Sequence, residues 1–199
     1  ETYSFISPKY YDKINLPEDS ELRRSVVITN PLGEDTSVMR TTCVPSMLEV
    51  ISRNYNNRNL SGRLYEMGKV YLPKESPDIL PDERVVAVVG TFGDKEDFFA
   101  LKGILNEAFD KLGVVGVEYS ALKTNPAFHP GRCAEITIGE KKIGVIGEIA
   151  PAVLENYEIG TRAYVASVDM ADIFENRIAE KKFKPTPRFP ASGRDLAII

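Results

Sequence analysis

Three features of the sequence predict an α+β fold in which an antiparallel β-sheet is flanked by helices. Short runs rich in β-branched and aromatic residues recur along the chain, and two of them, 133–138 and 142–149, are joined through Gly139-Glu140, a connection of hairpin type. Two longer stretches, one from Val44 and one from Lys95, carry apolar residues at helical spacing on one face. With 199 residues, 43% of them hydrophobic, the chain is long enough to close a sizeable core between sheet and helices.

The elements follow in order. Residues 2–6 (Thr-Tyr-Ser-Phe-Ile) have strand composition and are closed by Ser7-Pro8. The stretch through Leu16-Pro-Glu-Asp-Ser20 reads as turn-rich and polar, and 25–29 (Ser-Val-Val-Ile-Thr) as a second strand ended by Asn30-Pro-Leu-Gly33. From Val44, the positions Val44, Met47, Leu48, Ile51 and Tyr55 share a helical face. Pro45 sits in the first turn, where its missing N–H costs nothing, and the polar run after Ser52 stops the helix near Asn57. Residues 63–72 read as a strand, with Gly68 marking a bulge or a close backbone approach. Pro73, Pro77 and Pro81 make 72–83 a surface loop, and 85–89 is a buried strand. The second helix is placed at 95–112 on the stripe Phe98, Leu101, Leu105, Ala108 and Leu112, with Asp94 as cap and Gly113 as stop. Strands follow at 117–122, 133–138, 142–149 and 162–168, with a turn at Asn125-Pro126 and helices at 151–157 and 171–180. The basic, proline-rich 181–190 reads as a semi-rigid connector, and 194–199 as the first strand of a further domain. A chain that opens at Glu1, without Met and in strand-like sequence, is expected to be a piece of something longer.

Composition narrows the function classes. Lys+Arg 25 against Asp+Glu 29 gives a formal charge of −4, so any contact with nucleic acid has to be local. Cys43 and Cys133 lie far apart, with no CxxC and no nearby histidine pair, which argues against a disulfide scaffold and a zinc site and for a cytoplasmic protein. The longest apolar runs, such as Val85 to Val89, are strand-sized, so no membrane association is expected.

Residue types alone give little catalysis. The single histidine, His129, stands in Phe128-His-Pro-Gly-Arg132, read as a turn between strands with no nucleophile beside it. Gly144 and Gly147 are spaced for close packing within a strand and lead into no helix, so a dinucleotide or P-loop fingerprint is rejected. Glu34 and Asp35 lie in a turn as solvated charge. Arg40, Arg53 and Arg58 form a basic edge near the first helix, with a solvated face favoured over a phosphate site.

Longer blocks carry a family resemblance. The segment Asn30-Pro-Leu-Gly-Glu-Asp-Thr-Ser-Val-Met-Arg-Thr-Thr42, then Pro45, Arg53-Asn54 and Arg63-Leu-Tyr-Glu-Met-Gly-Lys-Val-Tyr71, closely resembles the bacterial phenylalanyl-tRNA synthetase beta subunit family. Asp97-Phe-Phe-Ala-Leu-Lys-Gly103, Phe128-His-Pro-Gly-Arg132 and Gly144-Val-Ile-Gly-Glu148 continue it in the same order, and Pro187-Arg-Phe-Pro-Ala-Ser-Gly-Arg-Asp-Leu-Ala197 is similar to the start of that family's ferredoxin-like anticodon-binding domain. The resemblance implies a class II aminoacyl-tRNA synthetase-like core over residues 1–184 and a linker with a truncated ferredoxin-like domain over 185–199.

It also implies where chemistry is missing. Class II cores hold ATP with one arginine after the motif-two strand and a second in a strand-to-helix motif three. At the first place this sequence has Leu72-Pro-Lys74, and at the second Ser167-Val-Asp-Met170, so Leu72, Ser167 and Met170 are degenerate motif positions. Leucine and methionine supply no fixed cationic donor to a triphosphate. The resemblance thus implies a non-catalytic scaffold without a cofactor of its own, packed against the alpha subunit in an (αβ)₂ heterotetramer. ATP and magnesium serve the whole enzyme, which attaches phenylalanine to its tRNA. Interface or tRNA contacts are assigned to Arg40, Arg53, Arg58, His129 and Arg132. Two alternatives stay open: a core retaining nucleotide binding through Arg63 and Glu66, and a tRNA phosphate-contacting module built from the arginines and the 181–188 linker.

Overall fold

In a computed structural model of the chain, the residues described are 1–76, 79–177, 189, 193 and 195. The centre is a six-stranded, wholly antiparallel sheet in the order β3-β4-β8-β7-β6-β5. Its strands are β3 (Gly62–Leu72), β4 (Asp82–Phe92), β5 (Val117–Ala121), β6 (Phe128–Ile138), β7 (Lys141–Ile149) and β8 (Ala163–Asp169). Helices α1 (Lys9–Lys13), α2 (Val44–Asn56) and α4 (Pro151–Asn156) belong to one face, and α3 (Phe98–Leu112) and α5 (Met170–Glu175) to the other. The expected antiparallel α+β arrangement is what is found.

Both faces are apolar because side chains alternate along each strand. Met47, Leu48 and Ile51 of α2, on one helical stripe, pack into a buried cluster with Val70, Val88, Phe92, Ile149 and Val165. Leu101, Leu105 and Phe109 of α3 form a second cluster with Ile136, Ile146, Ala166, Val168 and Ile173 on the opposite face. α3 ends as expected, with Gly113 in the left-handed conformation (φ +75°). Within α3, Gly103 is exposed, and an added Cβ would meet nothing within 4 Å. Gly103→Ala is therefore expected to stabilise the chain by about 0.5–1 kcal/mol through lower backbone entropy of the unfolded state, read as a raised melting temperature.

Several expected elements differ in extent. The first strand is only β1 (Phe5–Ile6), paired with β2 (Val38–Met39), and the polar stretch that follows it contains α1, held by buried Tyr11 and Ile14. Five residues are too few for periodicity to reveal a helix. The strand expected at 25–29 is a single bridge between Val27 and Val38, because Val27 is exposed and β2 offers only two residues to pair with. β4 runs well beyond 85–89 at both ends. α3 starts at Phe98 and not at Lys95: a turn in which Glu96 N–H donates to the Gly93 carbonyl passes the cap from Asp94 to Asp97, whose Oδ1 accepts from Ala100 N–H at 2.6 Å.

The expected turn at Phe128-His-Pro-Gly-Arg132 is also corrected. It is a bulged part of β6, where the register jumps from Phe128↔Ile149 to Cys133↔Gly147. Pro130 has no N–H for the ladder, and Gly131 N–H donates to His129 Nδ1 instead, at 3.1 Å. The last helix ends at Glu175 and not at residue 180. The connector at 181–190 and the truncated domain at 185–199 lie outside the described residues, apart from isolated positions.

Candidate functional site

The order β3-β4-β8 brings Leu72, Ser167 and Met170, the three positions expected to be degenerate, toward one end of the sheet. Leu72 ends β3 opposite Asp82, while Asp169, opposite Val86, ends β8 and caps α5, whose first residue is Met170. Leu72 is half-buried and shares the α2 face with Val70 and Glu66, as does Ser167 through its pairing with Val88. Met170 is buried on the other face, in the α3 cluster.

A cleft of about 520 Å³ opens at this end. Met170 lines it but Leu72 does not, and the charged lining is Asp82, Glu83, Asp169 and Asp172 against Arg84 and Lys141. Both cations are already engaged. Arg84 Nε donates to Asp82 Oδ2 at 2.7 Å and its Nη1 lies 3.4 Å from Asp169 Oδ2. Lys141 Nζ lies 2.6 Å from Asp172 Oδ1 and 3.2 Å from Glu175 Oε2, and these carboxylates hold its pKa above the usual lysine value. Lys69, on β3, is paired with Glu83 at 2.8 Å. Among the described residues, the lining carries more negative than positive charge, with no free guanidinium fork to grip a phosphate.

The arginines assigned to a basic edge do not stay together. Arg40 is a correction: only 1% exposed, it is buried at the junction of β2, α2 and β3. Its Nη2 donates to Glu66 Oε1 at 3.0 Å, its Nε to the Lys69 carbonyl at 2.8 Å and its Nη1 to Thr2 Oγ1 at 2.7 Å. It faces no solvent and so reaches no tRNA phosphate. Gly68 is a close approach, as one of its two expected roles, since a Cβ there would collide with Arg40 Nη2. Arg53, in the last turn of α2, and Arg58, just after it, remain exposed.

The pair Arg63 and Glu66 is divided by strand alternation, three positions placing them on opposite faces of β3. Arg63 Nε donates to Glu96 at 2.9 Å, while Glu66 belongs to Arg40. His129 is half-buried with Nδ1 occupied by Gly131 N–H, which makes it a local brace of the bulge. Arg132 Nη1 donates to both carboxylate oxygens of Glu148, at 2.9 and 3.0 Å. Burial pushes the thiols of Cys43 and Cys133 up to about 11 each, so neither is a nucleophile near neutral pH. Among the described residues, no group of three or more His, Cys, Asp or Glu is placed to hold a metal ion, and no helix is long and apolar enough to cross a membrane.

The burial of two carboxylates, Glu66 and Glu96, was not foreseen from the sequence. Glu66 carried a signal, since it occupies an inward position between Leu64 and Gly68, where an acid requires a buried cation. Glu96 carried none beyond its place ahead of the α3 cap.

The antiparallel sheet with a helical layer on each face has the fold of a class II aminoacyl-tRNA synthetase core. Two solved structures of pyrrolysyl-tRNA synthetase from Desulfitobacterium hafniense share it, with TM-scores of 0.69 and 0.67, 14% and 13% identity, and alignments over 87% of this chain and 60% of theirs. At that identity the likeness is one of fold. Residues 1–170 match the family described as the phenylalanyl tRNA synthetase beta chain CLM domain, and the chain belongs to that family. It is 45% identical over 198 residues to the phenylalanine–tRNA ligase beta subunit of Clostridium tetani, 47% over 197 residues to that of Clostridium acetobutylicum and 39% over 206 to that of Moorella thermoacetica. These alignments take in 99–100% of this chain and 25–26% of the relatives, so the chain spans about a quarter of their length.

Proposed function

We propose that the chain is a scaffold and interface domain of a phenylalanine–tRNA ligase beta subunit, with no adenylation chemistry of its own. It supports the ATP- and magnesium-dependent attachment of phenylalanine to tRNA, performed in the cytoplasm by the alpha subunit of an (αβ)₂ assembly. Residues 1–184 make the core, and 185–199 lead into the next domain.

The observation that carries this reading is the charge of the cleft that Met170 lines. A triphosphate needs several fixed cationic donors. The family resemblance puts Leu72 and Met170 where arginines would stand, and in the cleft that Met170 lines, Arg84 and Lys141 are held by Asp82, Asp169, Asp172 and Glu175. The residues present do not fit ATP with magnesium. Nucleotide binding through Arg63 and Glu66 is disfavoured by their positions on opposite faces of β3.

Sedimentation velocity of the chain mixed with its cognate alpha subunit tests the scaffold role. A complex sedimenting faster than either component is expected, and two independent boundaries at micromolar concentrations would contradict it. Pyrophosphate exchange by the chain alone is expected to be absent.

A further inference from the structure

We infer that the free edge of β3 at residues 63–67, with the apolar groove beside it, takes up an extended segment of a partner polypeptide as an added strand of the sheet. The assignment goes beyond the scaffold reading and does not depend on it, since it needs neither the alpha subunit nor tRNA.

β3 stands at one end of the strand order, paired on one side only, with β4. Toward its C-terminal end the other side is already used: Tyr71 N–H donates to the Arg40 carbonyl at 2.9 Å, and the Lys69 carbonyl accepts from Arg40 Nε at 2.8 Å. A strand residue points its N–H and C=O to the same side, and the side alternates along the chain. Arg63, Tyr65 and Met67 therefore present theirs outward as well, and among the described residues no backbone group bonds to them there. Proteins commonly close such an edge with a bulge, a proline or a covering segment. Residues 63–67 have none of these, since their register with β4 is unbroken and they include no proline. The charges at the two ends of the free stretch are drawn off, Arg63 to Glu96 at 2.9 Å and Lys69 to Glu83 at 2.8 Å.

The side chains between those charges are apolar where they face α3. Tyr65 and Met67 are 79% and 44% exposed and line a groove of about 500 Å³, together with Ile104 and Leu112 of α3 and Ile173 of α5. α3 packs over β4, β7 and β8, which leaves the β3 side of that face open. A helix or a small apolar molecule would fill the groove but leave the outward N–H and C=O groups unused. An extended segment uses both, pairing its backbone with 63–67 and setting alternate apolar side chains beside Tyr65 and Met67. A second copy of the chain is a poorer occupant. Two β3 edges paired about a two-fold axis at Tyr65 would drive the Arg40 segment of each copy, which lies against 69–71, into residues 59–61 of the other.

The probe is the peptide acetyl-Glu-Val-Thr-Ile-Thr-Val-Glu-amide, titrated into the intact chain and followed by amide NMR. Saturable shifts centred on residues 63–67 are expected at submillimolar peptide, with hydrogen exchange at the amides of Arg63, Tyr65 and Met67 slowed at least about tenfold. N-methylation of the Val and Ile residues and N-methylation of the Thr residues should differ, one set abolishing binding and the other sparing it, because only alternate N–H groups of an added strand face the edge. Tyr65→Lys, at an exposed position, should weaken binding about tenfold. The N-methyl comparison leaves the protein unchanged and so keeps the test open if that variant unfolds the chain. Shifts that never saturate, shifts centred elsewhere, or equal effects of the two N-methyl sets would each overturn the assignment. A chain that sediments as a dimer, and as a monomer once Tyr65→Lys is introduced, would give the edge to a second copy and overturn it as well.

Discussion

Arg40→Ala is expected to cost about 3–5 kcal/mol of stability, the largest loss for any single charged side chain described in this protein. Arg40 and Glu66 have side chains 1% and 4% exposed, and the guanidinium also satisfies Thr2 Oγ1 and the Lys69 carbonyl. Truncation leaves a carboxylate buried with only the Thr2 hydroxyl to solvate it, and an unpaired carbonyl at the strand edge. Urea unfolding measures the difference directly. A loss below about 1 kcal/mol would show that the pair is not buried in solution.

The same pair sets an acid dependence. Burial pushes the Glu66 carboxyl upward, but the Thr2 hydroxyl and the Arg40 guanidinium together outweigh it and hold the group below the ordinary glutamate value of 4.5. A carboxyl depressed on folding contributes stability that is complete above its unfolded-state value and lost as pH falls through its folded one. Stability is therefore expected to fall below about pH 4.5, with the decline shallower in Glu66→Gln, which has no proton to take up at that site. Parallel declines in the two proteins would remove Glu66 from the account.

Gly144→Ala is the second large effect expected. Gly144 pairs with Val168 across β7 and β8, and a Cβ there would collide with the Ser167 carbonyl oxygen and press on Val168 Cα. Both obstacles are backbone atoms in central strands, with no flexible side chain to give way, so strands β7 and β8 must part. The cost is expected to be about 3 kcal/mol or more, read as a lowered melting temperature and loss of amide protection in both strands. By contrast, Gly139→Ala in the β6–β7 turn meets no atom within 4 Å and pays only for its left-handed φ of +58°, about 1 kcal/mol. Equal effects at the two positions would contradict the close approach at Gly144.

The parts of the fold legible in sequence are those with period and punctuation. α2 and α3 announced themselves through stripes such as Met47, Leu48, Ile51 and Leu101, Leu105, with Pro45 and Gly113 at their ends. The β6–β7 hairpin was visible at Gly139-Glu140. The N-terminal region was not, because α1, β1 and β2 are too short to display a period and are fixed by long-range contacts, such as Thr2 and Arg40 on Glu66. The bulge at His129 and a turn look alike in the sequence, because Pro130 and Gly131 signal both. At the candidate site, the residue types at Leu72, Ser167 and Met170 could be read directly. That Arg40 turns inward could not, since an arginine before a helix looks the same whether it meets water or a buried glutamate.

The central proposal is that this domain binds no ATP. Isothermal titration of the chain with ATP and magnesium chloride tests it most directly. The account predicts no saturable heat through millimolar nucleotide, and a saturable isotherm with a micromolar dissociation constant would contradict it.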